Sequence, residues 1–124
     1  MRGGTPMNRK ELGRWGEEMA SQYLIHEKGY HIIDRNYRCP IGEIDLVEIY
    51  QKTLIFIEVK TRRFLSFGLP AESVTRNKQR KYHLLSQYYM KEKGLYDLDC
   101  RFDIVEVFAR PDGSCNLNHI INAF

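Results

Sequence analysis

The chain has 124 residues, 43% hydrophobic and 28% charged, which is the make-up of one ordinary globular domain with a single core and no room for a second. No apolar run approaches the roughly 20 residues of a membrane span and no secretory signal is visible, so neither a membrane-embedded nor a secreted protein is expected. Nineteen basic against sixteen acidic residues leave a net charge of +3, too small to identify a nucleic-acid partner, so the placement of the charges carries the information. Cys39, Cys100 and Cys115 are odd in number without CxxC spacing, and the four histidines share no zinc-ligand spacing. Reduced cysteines in a cytoplasmic protein, with no zinc site, are expected.

Residues 1–7 read as a flexible segment, with Met1 and Met7 both available as a start, and residues 8–124 as one domain. Asn8 is a plausible N-cap for a first helix that runs to about Lys28 and stops at Gly29. Leu12, Trp15, Met19, Ala20, Tyr23 and Leu24 recur at helical spacing and predict its buried stripe. Glu17 lies at the edge of that stripe and can face inward, or can be an ordinary solvated glutamate, whereas Glu18 points away. Tyr30 to Arg38 reads as a first strand, with Arg35 and Arg38 close to the Cys39-Pro40-Ile41-Gly42 turn.

Gly42 to Arg63 then reads as two strands joined at Gln51-Lys52. Leu54 to Val59 is an almost unbroken apolar run, the signal of a strand covered on both faces. A two-residue turn makes paired residue numbers sum to 103, which sets Asp45 opposite Glu58 and Glu43 opposite Lys60. Directly paired side chains share a face, as do residues two apart on one strand, so Asp45, Glu58 and Lys60 are predicted to meet. Two facing carboxylates need neutralising, by Lys60 or by a hard cation such as Mg²⁺ or Mn²⁺. By the same alternation Val47, Ile49, Leu54 and Phe56 share the acids' face, and Leu46, Ile55, Ile57 and Val59 take the other.

Arg63 to Ser73, with Gly68 and Pro70, reads as a loop placed to act as a substrate-contacting lid. A second helix follows from about Thr75 to Lys93, ending at Gly94, with Val74, Tyr82, Leu85, Tyr88 and Tyr89 as its apolar stripe. Lys78 and Lys81 fall inside that stripe's arc, either snorkelling to its edge or aimed at phosphate. A strand at Arg101 to Ala109 should run parallel to the third by a right-handed crossover, and Asn116 to Ile121 reads as a short edge strand. The predicted fold is α/β in the order αβββαβ(β), a mixed central sheet with helices on both faces.

Asp45 followed by Glu58-x-Lys60 resembles the PD-(D/E)xK signature of restriction-endonuclease-like nucleases. Six ordered blocks resemble the bacterial YraN family, itself similar in pattern to archaeal Holliday-junction resolvases: Gly16-Glu17-Glu18-x-Ala20, Arg35-Asn36-Tyr37-Arg38, Gly42 to Leu46, Glu58 to Arg62, Phe67-Gly68-x-Pro70 and Arg101-Phe102-Asp103. The resemblance implies a metal-dependent endonuclease acting on DNA, with branched or structured DNA and a homodimer as its further implications. Asp45, Glu58 and the carbonyl of Val59 would hold Mg²⁺ or Mn²⁺, Glu17 would complete the shell, and Lys60 would act on the water or on the transition state. Arg35, Arg38, Arg62, Arg63, Lys78 and Lys81, with Arg76 and Arg80 beside them, suit phosphate contacts. Two other readings stay open: a non-catalytic nucleic-acid-binding module on the same fold, and an interaction domain whose acids pair with Lys60 and Arg62.

Overall fold

The computed structural model describes residues 7–63 and 75–124, so most of the expected flexible start and the expected lid loop lie outside the described residues. Helix α1 spans Arg9–His26. The Asn8 side chain accepts the Glu11 N–H at 2.9 Å and the Glu11 carboxylate accepts the Asn8 N–H at 2.9 Å, which closes a capping box. Helix α2 spans Arg76–Lys93, capped by the Thr75 side chain and ended by Gly94 at φ +68°, a left-handed conformation that glycine adopts without penalty. No helix among the described residues is long and apolar enough to cross a membrane.

Strands β1 (His31–Cys39), β2 (Gly42–Tyr50), β3 (Thr53–Arg63), β4 (Asp99–Ala109) and β5 (Cys115–Ile120) form one sheet in sequence order. All neighbours are antiparallel except β3 and β4, which run parallel across the α2 crossover. The β2–β3 pairs run from Tyr50–Thr53 to Leu46–Ile57 and sum to 103, the register set by a turn at Gln51-Lys52. One core layer joins α1 to Leu46, Ile55, Ile57, Val105 and Val107, and the other joins α2 to Val47, Leu54, Phe56 and Phe102. The fold is therefore α/β, a five-stranded mixed sheet with one helix on each side, as the apolar pattern predicts.

Three details depart from expectation. Tyr88 is 38% exposed rather than buried, and Ser86 takes the inward position on α2 beside Leu85 and Tyr89. The β2–β3 ladder ends at Leu46–Ile57, so Asp45–Glu58 and Glu43–Lys60 are not ladder pairs. The third is a reversal of faces. Arg35 and Leu46, paired across β1 and β2, lie on the α1 side, where Arg35 Nη1 donates to Ser21 Oγ at 2.8 Å. Tyr37 and Ile44, two residues on, lie on the α2 side, where the Tyr37 hydroxyl donates to Glu92 at 2.8 Å. Residues two apart on a strand ordinarily share a face. Between them stands Asn36 at φ +51°, a left-handed residue that turns the strand over.

Candidate functional site

Asp45 sits opposite that turnover and lines a cavity on each side of the sheet. The α2-side cavity, on the side of Val47, brings it together with Glu58 as alternation predicts; its opening to the α1 side as well is what alternation does not anticipate. Past the last ladder pair β3 continues against β4 alone, with Glu58 beside Ile104, Val59 beside Val105 and Lys60 beside Glu106. The Val59 N–H, beyond the end of the β2 ladder, donates to Asp45 Oδ2 at 2.8 Å. Burial pushes the Asp45 carboxyl up to about 6; the Val59 N–H pulls it down, while Glu17, Glu58 and Glu43 add to the rise. Four carboxyl groups thus converge on one partly buried point, with Asp45 at the centre.

Glu17 reaches this point because α1 lies unusually close to β3. A Cβ built on Gly16 would fall 2.8 Å from Thr61 Cβ and closer still to its branches, so only glycine permits the approach. Burial raises the Glu17 pKa, and a hydrogen bond from the Asn36 side chain opposes that rise. The residue that turns β1 over thus also acts on the charge of Glu17. Of the two readings of Glu17, the inward one is observed.

On the α2 side a cavity of about 250 Å³ is lined by Glu43, Asp45, Glu58, Lys78, Lys81 and Tyr82. The Lys81 stem crosses the bare Cα of Gly42, with Cε 2.9 Å from where a Cβ would stand. Burial raises the Tyr82 pKa, and the neighbouring Glu58 carboxylate adds to the rise. On the α1 side an open groove is lined by Arg9, Glu17, Asp45, Val59, Thr61, Arg62 and Arg63. Lys78, Lys81, Arg62 and Arg63 are thus brought to the acids from two directions.

Arg35 and Arg38 are not gathered in. Arg35 is held by Ser21 and lies 3.8 Å from Glu18, and Arg38 pairs with Glu43 at 3.2 Å, both of the latter well exposed. Glu43 therefore answers to Arg38 rather than to Lys60. Lys60 shares the Glu58 face by alternation and lines neither cavity; its ladder neighbour is the buried Glu106, whose Oε1 accepts from Asn118 at 2.8 Å.

Arg101-Phe102-Asp103 proves to be structural. Burial alone would raise the Asp103 carboxyl, but hydrogen bonds from His119, Arg101 and the Asn122 N–H hold it down to about 2. That network fastens β5 and the following turn to β4. Tyr82, Asn36 and Arg9 are site residues that sequence reasoning passes over. A tyrosine on an apolar helical stripe reads as core whether or not its hydroxyl is used.

Among the described residues no group of three or more His, Cys, Asp or Glu is arranged to hold a metal ion. What the site offers is sparser: Asp45 Oδ1, the Glu58 carboxylate, and the Val59 carbonyl, which in a strand points to the same edge as its N–H. That donor set does not suit a closed structural cage. It fits Mg²⁺ or Mn²⁺, which take one or two carboxylates and fill the remaining positions with water and phosphate.

Residues 16–107 match the profile of the uncharacterised protein family UPF0102, a span that contains all six motif blocks. A UPF0102 protein of Caldanaerobacter subterraneus is 43% identical over 120 residues, covering 95% of this chain and 98% of the relative. UPF0102 proteins of Syntrophotalea carbinolica and Syntrophomonas wolfei are each 45% identical, over 116 and 118 residues, covering 94% and 95% of this chain and 93% and 100% of theirs. The chain belongs to the uncharacterised protein family UPF0102.

Proposed function

We propose that the chain is a metal-dependent endonuclease on a restriction-endonuclease-like fold, hydrolysing phosphodiester bonds of DNA. The observation that carries the reading is Asp45 itself: anchored by the Val59 N–H, crowded by Glu17, Glu58 and Glu43, and open to basic side chains on both sides of the sheet. Buried like charges are costly, and a site that keeps them together has a use for a cation. Asp45, Glu58 and the Val59 carbonyl would hold Mg²⁺ or Mn²⁺. The ion supplies Lewis acidity toward a phosphate oxygen and a water of lowered pKa.

Lys78 and Lys81 bind phosphate from the α2 side and Arg62 and Arg63 from the α1 side, contacts that position a strand without reading its bases. Lys60 contributes positive charge on the Glu58 face, and Glu17 restrains Asp45 through its own charge. Branched DNA as substrate, a homodimer and a cytoplasmic location are the extensions that the motif resemblance suggests.

The experiment is a set of thermal melts with and without Mn²⁺. The parent should be stabilised by the ion. Asp45→Asn and Glu58→Gln should lose that response, and Asp45→Asn should gain about 1–2 kcal/mol without metal because a like-charge cluster is relieved. A parent indifferent to Mn²⁺, with both variants destabilised, would make the acids structural. Metal-independent DNA binding without cleavage would favour the binding-module reading instead.

A further inference from the structure

We infer that the strand to be cut is unpaired at the site, with one nucleotide held in the α2-side cavity and the backbone crossing Asp45 into the α1-side groove. The inference rests on the nuclease reading and adds the substrate class: single-stranded DNA, or an unpaired stretch within a duplex. A fully paired four-way junction does not meet it.

The first observation is the placement of the cations. Lys78 and Lys81 stand on one side of the sheet and Arg62 and Arg63 on the other, and among the described residues Asp45 alone lines both cavities. A continuous backbone that uses all of these cations must turn around the open end of β2 within a few nucleotides. Duplex DNA is stiff over about 150 base pairs and resists such a turn. A single strand makes it by rotation about its own backbone bonds.

The second observation is the cavity itself. Its volume of about 250 Å³ lies just below the roughly 300 Å³ at which pockets for drug-sized ligands begin, so it takes one nucleotide and not a base pair. The Asp45 and Glu58 carboxylates line it from the sheet, Lys78 and Lys81 from α2, and Tyr82 gives it an aromatic wall. Packing against Phe102 at 5.8 Å and Phe124 at 5.1 Å between centroids fixes the Tyr82 ring, so the wall holds its place when a base packs on it. Contacts of this kind accept any base, because every base has a π face. A duplex straddling the end of the sheet would offer a different strand to each side. Its bases, paired and stacked inward, would leave that wall bare.

The test is cleavage, at low salt with Mn²⁺, of an end-labelled single strand, the same strand in an intact duplex, that duplex with a short unpaired stretch, and a fully paired four-way junction. The parent should cut the single strand and the unpaired stretch. It should cut the intact duplex and the paired junction at least about 10-fold more slowly. Tyr82→Leu, which keeps an apolar side chain in the core layer, should raise KM for the single strand about 10-fold, and Tyr82→Phe, which keeps the ring, should match the parent. Cleavage of the intact duplex as fast as the single strand, or a folded Tyr82→Leu with the parent's KM, overturns this inference and leaves the nuclease standing. Cleavage of none of these DNAs overturns the nuclease reading and this inference with it.

Discussion

Glu48 is fully buried on the α1 side of β2, paired across the sheet with Ile55, and neither carboxyl oxygen has a hydrogen-bond partner among the described residues. Burial raises its pKa to about 8; the charge on Asp103 adds to the rise and Arg35 opposes it. The unfolded chain releases that proton near the usual carboxylate value and the folded chain keeps it to about 8, so the associated stability is lost as pH climbs between the two. Glu48→Gln should therefore be more stable than the parent at pH 7, by roughly 1–3 kcal/mol, with an advantage that grows from pH 5 to pH 8. Melting temperatures measured in parallel across that range check it, and an advantage that does not grow with pH would mean that the carboxyl is already paired. Sequence reasoning passes over Glu48: alternation puts it on the face of Leu46, but the apolar run around it hides the exception. The place of Tyr82 beside Glu58 is not legible either, because it depends on how α2 packs on the sheet and has no local signature.

The elements themselves were readable because each carries its own signal: a capping residue, a stop glycine, an apolar run and a two-residue turn. The β2–β3 register followed from the turn alone. Its early end did not, because it depends on the Asp45 side chain taking the Val59 N–H, and the turnover at Asn36 did not, because most asparagines have negative φ. The approach of α1 to β3 is the element-scale feature that admits Glu17. Gly16→Ala should push the helix off the strand and cost about 1–3 kcal/mol, since the added methyl meets the Thr61 side chain at its root. Thr61→Gly in the same chain should restore much of the loss, a non-additivity that melts of the single and double variants would show. Additive losses would mean that Gly16 matters for helix packing elsewhere. Gly42 differs, since the close contact of a methyl there would be with the flexible end of Lys81, and Leu85 would stand at ordinary contact distance.

Across the whole molecule a net charge of +3 conceals an uneven arrangement. An acidic centre at the open end of β2 and β3 is flanked by Lys78 and Lys81 on one side and Arg62 and Arg63 on the other. Basic walls around an acidic floor suit a polyanion that arrives with a dication between them, and such contacts weaken steeply as salt rises. The central claim is that Asp45 and Glu58 form a metal site for phosphodiester cleavage. Its most direct test is cleavage of end-labelled linear and branched DNA at low salt with Mn²⁺, by the parent and by Glu58→Gln. The account predicts cut products from the parent only when the ion is present, and a loss of at least about 100-fold in rate for Glu58→Gln. Equal cleavage by both proteins, or none by a correctly folded parent on any of these DNAs, would contradict it.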